Sequence, residues 1–341
     1  MKKVIIIAEA GVNHNGDFNN ALRLVDAAAA AKVDFVKFQT FKADKIVSKL
    51  AKKAEYQSKN INDGDDSQYA MLKKLEMPEQ WHHDLIKYAN SKGVEFLSTG
   101  FDEDSIDFLE TLHPKLYKIP SGEITNKPFL QHIAKKGKPI VLSSGMADIN
   151  EIKDAVKVMI DAGAKKEDLI VLHCNTEYPT PMRDVNLLAM LHIEKELEVE
   201  IGYSDHTLGI EVPIAAAALG AKVIEKHFTL DRNMPGPDHK ASLEPEELKA
   251  MVMAIRNIEM AISGSGIKEP SESEKPNKSI ARKSVHLLVD IKRGQTLEKN
   301  KIIMRRPGDG ISPMEIDNII GRKLNQDLVA DTLLNWEHLE K

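Results

Sequence analysis

Short apolar runs alternate with longer amphipathic stretches through the first 263 residues, and this alternation restricts the fold more than any other feature. Such runs are typical of parallel strands buried on both faces, and amphipathic stretches are typical of the helices that cover them. Eight runs predict an α/β fold, a parallel sheet closed into a (β/α)₈ TIM barrel, with a doubly wound open sheet as the alternative. The predicted strands are 4–8, 34–38, 94–97, 115–119, 139–142, 169–172, 199–202 and 222–226. The predicted helices are 20–31, 78–92, 104–112, 126–136, 150–162, 210–219 and 244–262.

The composition changes after the last of these helices. Residues 264–280 are rich in Gly, Pro, Ser and Glu, which is typical of a linker, and residues 281–341 contain only short apolar runs. We therefore expect a barrel over 1–263, a linker over 264–280 and a small domain over 281–341. A unit of about 60 residues without disulfides buries little area, so we expect it to dock on another surface.

The charge and cysteine content exclude several classes of protein. The net charge of −5 comes from 47 basic and 52 acidic residues that are well mixed, so neither nucleic acid nor an anionic membrane is an expected partner. No apolar segment approaches the ~20 residues that span a bilayer. The single cysteine, Cys174, rules out an internal disulfide and, within an apolar run, indicates inert packing. We expect a soluble, cytoplasmic protein.

Two histidines follow the last two predicted strands. Alternate residues of a strand share a face, so His206 shares its face with Ser204, and His227 shares its face with Glu225. Two imidazoles and a carboxylate converging on one point suit a divalent cation with positions left open for water and substrate. The alternative is that each histidine only caps its strand.

Two lysines, Lys37 and Lys118, lie among apolar neighbours in predicted strands. Burying a lysine is costly unless it meets an anion. We favour a cradle for a phosphate and a carboxylate, completed by hydroxyls of Ser121, Ser143 and Ser204. The alternative is internal ion pairing with the acids Glu9, Glu123 and Glu225.

Other polar residues also lie at predicted strand ends, where barrels carry their sites. They are Asn13, His14, Gln39, Ser98, Thr99, Ser144, His173, Asn175 and Asp205. The connection 40–76, with Asn62-Asp63-Gly64-Asp65-Asp66, is either an active-site cover or a solvated insertion. In the connection 229–243, we expect Asp238 and His239 to be free to contact a ligand. The residues together indicate a metal-assisted reaction that joins a small phosphorylated anion to a polar carbonyl compound.

Ordered motifs along the whole chain resemble those of the sialic acid synthase family. They are Glu9-Ala10-Gly11-Val12-Asn13-His14-Asn15-Gly16, Val36-Lys37-Phe38-Gln39-Thr40, Tyr117-Lys118-Ile119-Pro120-Ser121-Gly122-Glu123, Leu142-Ser143-Ser144-Gly145-Met146, Tyr178-Pro179-Thr180-Pro181, Tyr203-Ser204-Asp205-His206-Thr207, Glu225-Lys226-His227-Phe228 and Gly236-Pro237-Asp238-His239. The tail, with Arg305-Arg306-Pro307-Gly308 and Ile320-Gly321-Arg322, is similar to the family's C-terminal antifreeze-like (SAF) domain.

This resemblance implies that phosphoenolpyruvate condenses with an N-acetylated sugar of the mannosamine type to give a nine-carbon 2-keto-3-deoxy sugar acid and phosphate. It also implies Mn²⁺ or Mg²⁺ on His206 and His227, and a domain-swapped homodimer in which Arg306 reaches the partner's sugar site. The implied phosphoenolpyruvate-binding residues are Lys37, Thr99, Lys118, Ser121, Ser143 and Ser204. The implied catalytic residues are Glu9, Glu123, Glu225 and Tyr178, and the implied sugar-binding residues are Gln39, Thr176, Tyr178, Asp238 and Arg306.

Two segments bear on the sugar. Residues 173–178 and 280–284 are similar to those of bacterial N,N'-diacetyllegionaminate synthases, which use a 2,4-diacetamido-2,4,6-trideoxy-mannose, so this sugar is favoured over N-acetylmannosamine. Thr99-Gly100-Phe101 departs from the family, which usually has proline before the phenylalanine. A synthase for a phosphorylated sugar would need a second basic cluster, which the sequence does not offer. A carbohydrate- or ice-binding protein acting through its tail is a more distant alternative, and a barrel without catalysis is disfavoured by both lysines and both histidines.

Overall fold

The computed structural model describes residues 3–61 and 64–340, and the chain divides into two compact units, Met1–Gly264 and Ser265–Lys341. The described part of the larger unit contains eight parallel strands. They are β1 Ile5–Gly11, β2 Phe35–Thr40, β3 Glu95–Gly100, β4 Tyr117–Ile119, β5 Ile140–Ser143, β6 Leu169–Cys174, β7 Glu200–Asp205 and β8 Val223–His227.

The strands form one barrel-like sheet in the order β3-β2-β1-β8-β7-β6-β5-β4. The predicted (β/α)₈ architecture is therefore confirmed. The two ends of this order, β3 and β4, lie side by side, but within the described residues no ladder hydrogen bonds join them. A cavity of about 150 Å³ lies at this seam, between Leu97 and Tyr117.

Helices follow the strands and cover the barrel. Those of the larger unit are α1 Phe18–Ala31, α2 Ala43–Ile46, α3 Glu55–Ile61, α4 Gln68–Leu75, α5 Glu79–Lys92, α6 Glu103–Thr111, α7 Lys127–Ala134, α8 Ile149–Asp161, α9 Ala189–Leu197, α10 Glu211–Ala218 and α11 Pro245–Ala261. Helix α9, which was not predicted, is short and buries Met190, Ile193 and Leu197 at helical spacing. Its polar residues and its distance from β6 weaken the pattern in the sequence.

The barrel interior has two layers. The layer nearer the amino ends of the strands is apolar and consists of Ile7, Phe35, Leu97, Leu116, Val141, Leu172 and Val223. Two residues further along the strands, the same faces carry Glu9, Lys37, Thr99, Lys118, Ser143, Cys174 and Glu225. Because every second side chain of a strand points to the interior, the apolar layer is followed by a polar layer at the carboxyl ends of the strands.

The connection between β2 and α5 forms an ordered cover. Its helices α2, α3 and α4 pack around a small apolar cluster of Val12, Phe41, Met71 and Leu75. The Asn60 side chain donates a hydrogen bond to the Pro237 carbonyl over 2.7 Å, which joins α3 to the connection after β8. Of the two interpretations of residues 40–76, the active-site cover therefore agrees with the structure. Asn62 and Asp63 lie outside the described residues.

The smaller unit has its own core. Antiparallel strands β9 Ser284–Leu287 and β10 Ile302–Arg305 pack with α13 Ile316–Ile319 around Val285, Leu287, Ile291, Leu297, Ile311 and Leu324. Helix α12, Lys275–Ala281, covers the last part of the segment predicted as a linker, 264–280, and ends one residue beyond it. In the described part of the chain, every helix is too short or too polar to cross a membrane.

Candidate active site

A cavity of about 540 Å³ opens at the carboxyl ends of the barrel strands. All but one of the residues given a role by the family resemblance line it, namely Glu9, Lys37, Gln39, Thr99, Lys118, Ser121, Glu123, Ser143, Thr176, Tyr178, Ser204, His206, Glu225, His227 and Asp238. The exception is Arg306, which is exposed and belongs to the smaller unit. The strands thus bring together the side chains that sequence analysis grouped by strand parity.

The floor of the cavity is a buried cluster of alternating charges. Lys37 Nζ lies 2.5 Å from Glu9 Oε2 and 3.6 Å from Glu225 Oε2, and Lys118 Nζ lies 3.4 Å from Glu225 Oε1. Lys37 also donates to Thr99 Oγ1 over 2.8 Å, and Ser204 donates to Glu225 Oε1 over 2.9 Å. The two lysines and the two acids balance each other.

These contacts bear on one expectation. Both lysines pair internally, with Glu9 or Glu225, because a buried ammonium group needs a counter-charge, and the favoured anion cradle stays a prediction. Glu123 takes no part in this pairing. It lies beyond β4 and accepts a hydrogen bond from the Asn126 side chain over 2.6 Å.

Burial and pairing set the protonation of the cluster. Burial raises the pKa of Glu9 above its ordinary value, although Lys37 opposes the shift. Burial also acts on Glu225, but Lys118 and Lys37 outweigh it and lower the pKa of Glu225 to about 2. Burial lowers the pKa of Lys118, whereas Glu225 and Glu9 overcome burial at Lys37 and raise its pKa. Lys37 is therefore the more tightly paired ammonium group.

Hydroxyl groups surround the lysines, and one of them is unpaired. Ser143 Oγ is buried and has no hydrogen-bond partner among the described residues, so it is available to a ligand. Ser121 Oγ accepts a hydrogen bond from the Gly145 amide over 3.0 Å and lies 3.2 Å from Cys174 Sγ. Cys174, predicted to be inert packing, has its side chain in the polar layer, and burial raises the pKa of its thiol, which keeps it in the unreactive protonated form. The sequence did indicate this position: Cys174 lies two residues after Leu172, so both side chains point to the interior of the barrel.

The two predicted histidines lie side by side. The ring centroids of His206 and His227 are 5.3 Å apart. His206 Nδ1 contacts the Asn175 carbonyl oxygen, and because a carbonyl only accepts, Nδ1 carries the proton and Nε2 keeps a free lone pair. Burial lowers the pKa of His206 to about 4. Burial, together with the neighbouring His206 ring, also lowers the pKa of His227 well below its ordinary value. Both rings are therefore neutral at pH 7, which is the form that binds metals.

The chemistry of this pair suits a loosely held divalent cation. His227 Nδ1 is buried without a hydrogen-bond partner among the described residues and lies 3.8 Å from Asp238 Oδ2. Glu225, expected as the third ligand, is instead engaged by the lysines and Ser204. Across residues 3–61 and 64–340, no three or more His, Cys, Asp or Glu side chains form a preassembled metal site. Water and substrate would have to complete the coordination.

An aromatic stack closes the side of the cavity next to the histidines. The Tyr178 ring lies 4.2 Å from the His206 ring and stacks on Tyr56 at 5.0 Å and 27°. Tyr56 comes from α3, so the cover contributes to the site. Burial raises the pKa of Tyr178 well above its ordinary value, and burial together with Glu9 raises that of Asp238 to about 7. Tyr56 was not predicted from the sequence.

A second missed feature is an apolar wall. We use this name for the aliphatic side chains that line the cavity from the first connection and from the cover. They are Val12, Ile46, Val47, Met71, Leu72 and Leu75. The wall offers no hydrogen bonds, so it favours methyl groups over hydroxyl groups.

Some polar residues near the strand ends serve the framework instead. His239, expected to contact ligand, is buried between Thr229 Oγ1, at 2.7 Å, and Asn15 Oδ1, at 3.1 Å. His173 Nε2 donates to the Val185 carbonyl over 2.8 Å on the outer face of β6. Asn13 and Ser144 also bond to main-chain carbonyls. Strand parity or local loop geometry turns all four away from the cavity.

Comparisons with known proteins give one family and one domain type. The family model described as NeuB family matches residues 24–268, and the SAF domain model matches residues 282–340. An N,N'-diacetyllegionaminic acid synthase of Legionella pneumophila is 51% identical over 98% of this chain and 94% of its own length. A protein of the same name from Campylobacter jejuni is 50% identical over 98% of this chain and 99% of its own. The crystal structure of a sialic acid synthetase from Leptospira borgpetersenii, in complex with citrate, has a TM-score of 0.70 and 34% identity, covering 81% of this chain and 90% of that one.

Proposed function

The chain belongs to the NeuB family, and from that membership we propose that it is an N,N'-diacetyllegionaminic acid synthase. It condenses phosphoenolpyruvate with 2,4-diacetamido-2,4,6-trideoxy-mannose and water, and it releases phosphate. The observation that carries this proposal is a single cavity that holds two buried lysines on one side and two neutral imidazoles on the other. An anionic donor and a carbonyl acceptor need these two kinds of group next to each other.

The lysine side of the cavity is assigned to phosphoenolpyruvate. Lys118 is the more available cation, because it lies 3.4 Å from Glu225, whereas Lys37 lies 2.5 Å from Glu9. The unpaired Ser143 hydroxyl supplies a further donor, with Thr99, Ser121 and Ser204 nearby. The donor's negative charges displace part of the internal pairing, since charge-assisted hydrogen bonds to phosphate and carboxylate replace those to the acids.

The imidazole side is assigned to the sugar. His206 and His227 would hold a divalent cation, Mn²⁺ or Mg²⁺, which when bound supplies a Lewis acid that polarises the carbonyl of the open-chain sugar. Gln39, Thr176 and Tyr178 line the same cavity and would hold the sugar. The carboxyl groups of Glu9, Glu123, Glu225 and Asp238 would orient it or move protons.

The reaction balances in three steps. C3 of phosphoenolpyruvate forms a bond to the aldehyde carbon, and the aldehyde oxygen takes up a proton to become a hydroxyl group. Water adds to the resulting C2 cation and loses a proton. The tetrahedral intermediate then breaks its bond between C2 and the phosphate oxygen while the C2 hydroxyl group passes its proton to the departing phosphate, which leaves a ketone and free phosphate. Lys37 and Lys118 would stabilise the charge on this intermediate.

We also propose that a second copy of the chain completes the sugar site. Arg306 carries the positive charge that the cavity lacks at the sugar end, and it belongs to the smaller unit. A domain-swapped homodimer would bring Arg306 of one protomer to the sugar of its partner. The small size of that unit agrees with a docked role.

The proposal is tested by assaying the purified chain with Mn²⁺, phosphoenolpyruvate and either sugar. We expect phosphate release and a nine-carbon product, with a higher kcat/KM for the 2,4-diacetamido sugar than for N-acetylmannosamine. With ¹⁸O in the bridging oxygen of phosphoenolpyruvate, the label should appear in phosphate, because the C–O bond breaks. A preference for N-acetylmannosamine would instead make the chain an N-acetylneuraminate synthase, and turnover with neither sugar would refute the proposal.

A further inference from the structure

A second buried ion pair lies directly beneath the two histidines, on the opposite face of their strands. Asp205 and Lys226 are register partners at the end of the β7–β8 ladder, and both side chains are 0% exposed. Lys226 Nζ lies 2.5 Å from Asp205 Oδ2 and also donates to the Thr207 carbonyl. Asp205 accepts hydrogen bonds from the Thr207 amide over 3.0 Å and from the Thr207 hydroxyl over 3.1 Å.

The position of this pair matters because the ladder ends there. The last paired residues are Asp205 and Lys226, so His206 lies one residue beyond the hydrogen-bonded part of β7. The Asp205–Lys226–Thr207 contacts hold the main chain on both sides of His206 at the point where strand pairing stops. The next residue on β8, His227, is also held by its pairing with Glu9 of β1. The Asp205–Lys226–Thr207 contacts therefore tie the less supported segment at His206 to the strand that carries His227.

Stability alone is a weak reason for such a pair. Buried ion pairs are often replaced by apolar residues without loss of stability, because desolvation offsets their attraction. Their best-attested use is to fix one geometry among several. Here the geometry in question is the spacing between two imidazoles, whose ring centroids lie 5.3 Å apart.

We infer that the Asp205–Lys226 pair is a positioning device that fixes the spacing of His206 and His227 for one shared cation. The inference rests on the metal site of the proposed function. Neither Asp205 nor Lys226 lines the cavity, so both act through the histidines. The supports of metal ligands are commonly worth a factor of about 10 to 100 in metal affinity.

The test is the double variant Asp205→Asn with Lys226→Met, examined for Mn²⁺ binding by electron paramagnetic resonance of the free ion. The asparagine keeps an acceptor for the Thr207 amide, while the ion pair is lost. We expect a folded protein, with a melting temperature near that of the wild type, that binds Mn²⁺ about 10- to 100-fold more weakly. Mn²⁺ affinity is a readout that a merely structural pair would not change selectively.

A matched control exists at the other end of the barrel. Asp34 and Arg256 form a half-buried pair 2.7 Å apart, and Asp34 also accepts a hydrogen bond from the Ile6 amide. The variant Asp34→Asn with Arg256→Met makes a comparable change remote from the histidines and should leave Mn²⁺ affinity unchanged. Equal weakening in both double variants would indicate general loosening and overturn the inference.

The remaining outcomes are also decisive. Wild-type Mn²⁺ affinity in the folded Asp205→Asn/Lys226→Met variant overturns the inference but leaves the proposed function intact. Absence of Mn²⁺ binding in the wild type removes the proposed metal site, and the inference falls with it. If the double variant does not fold, Asp205→Glu decides, because it keeps both charges and displaces the carboxylate by one methylene. Weakened Mn²⁺ binding in folded Asp205→Glu supports the inference, and unchanged binding overturns it.

Discussion

The floor and the apolar wall of the same cavity are built in opposite ways. Floor residues such as Lys37 and Glu225 project from strands and are held by several charged and hydroxyl partners. Wall residues such as Leu72 project from short helices of the cover and make only apolar contacts. Strand-borne polar groups with many partners keep one geometry, which suits bond making. A wall of aliphatic side chains discriminates by shape and polarity, which suits the choice of sugar.

The largest effect should come from removing one of the two strand-borne imidazoles beside the floor. We expect His227→Ala to lower kcat by about 10³-fold, because a Lewis acid held by the imidazole pair supplies several kcal/mol of transition-state stabilisation. Steady-state kinetics measure the loss, and circular dichroism checks that the chain is folded. His192→Ala, at an exposed position on α9, is the matched control. Near-normal turnover of His227→Ala, or full activity after chelation, would remove the metal from the proposal.

A smaller but large effect is expected from the more available lysine. Lys118→Met removes one ammonium group. Lys37 stays within ion-pair distance of both acids, and Glu9, whose pKa is raised by burial, can take up a proton, so the fold should survive. We expect kcat/KM for phosphoenolpyruvate to fall by about 10²-fold, as for other donors that stabilise developing charge. Lys115→Met makes the same change at an exposed position just before β4, where Lys115 pairs with Glu95. Equal activity of the two variants would show that the floor does not bind the anion.

The floor was predictable from the sequence because its residues obey strand parity. Lys37, Lys118 and Glu225 each follow an apolar run, and side-chain alternation places them on one face. The same alternation along β6 predicts that Cys174 points to the interior of the barrel and that His173 points to its outer face. The internal ion pairs depend on distances between strands that are remote in sequence. The sequence therefore could not decide between internal ion pairs and an anion cradle for the two lysines.

The wall could not be predicted from the sequence for a different reason. Apart from Val12, its residues lie in a connection dominated by Lys, Asp, Asn and Ser, where three helices of four to eight residues give too few turns for a clear period. What orients Met71 and Leu75 is their packing on Val12 and Phe41, which is a tertiary contact. Tyr56 was missed for the same reason, because only its stacking on Tyr178 reveals it.

A third prediction asks whether floor and wall suffice without the smaller unit. If Arg306 acts on the partner's sugar, Arg306→Ala should lower kcat/KM for the sugar by about 30-fold, the cost of losing one desolvated charge contact. Mixing the impaired Lys118→Met protomers with equal amounts of Arg306→Ala protomers should restore wild-type activity in about a quarter of the sites, since each mixed dimer of this symmetric kind has one complete site. Arg305→Ala, which breaks an exposed pair with Asp331, is the control. No restoration on mixing would place Arg306 in its own chain's site or outside catalysis.

The smallest predicted effect is the one that most directly separates wall from floor. Leu72 lies half-buried on α4 and lines the cavity. Leu72→Asn places an amide where the 6-deoxy sugar would present a methyl group, whereas the hydroxyl group of N-acetylmannosamine would gain a partner. We expect the ratio of kcat/KM between the two sugars to fall by about 10-fold, the usual range for one apolar contact in a pocket. Lys74→Asn, at an exposed position on the same helix, should leave the ratio unchanged. A Leu72→Asn enzyme that loses activity equally with both sugars would make the wall part of the cover's own packing, and selectivity would then have to lie with the floor.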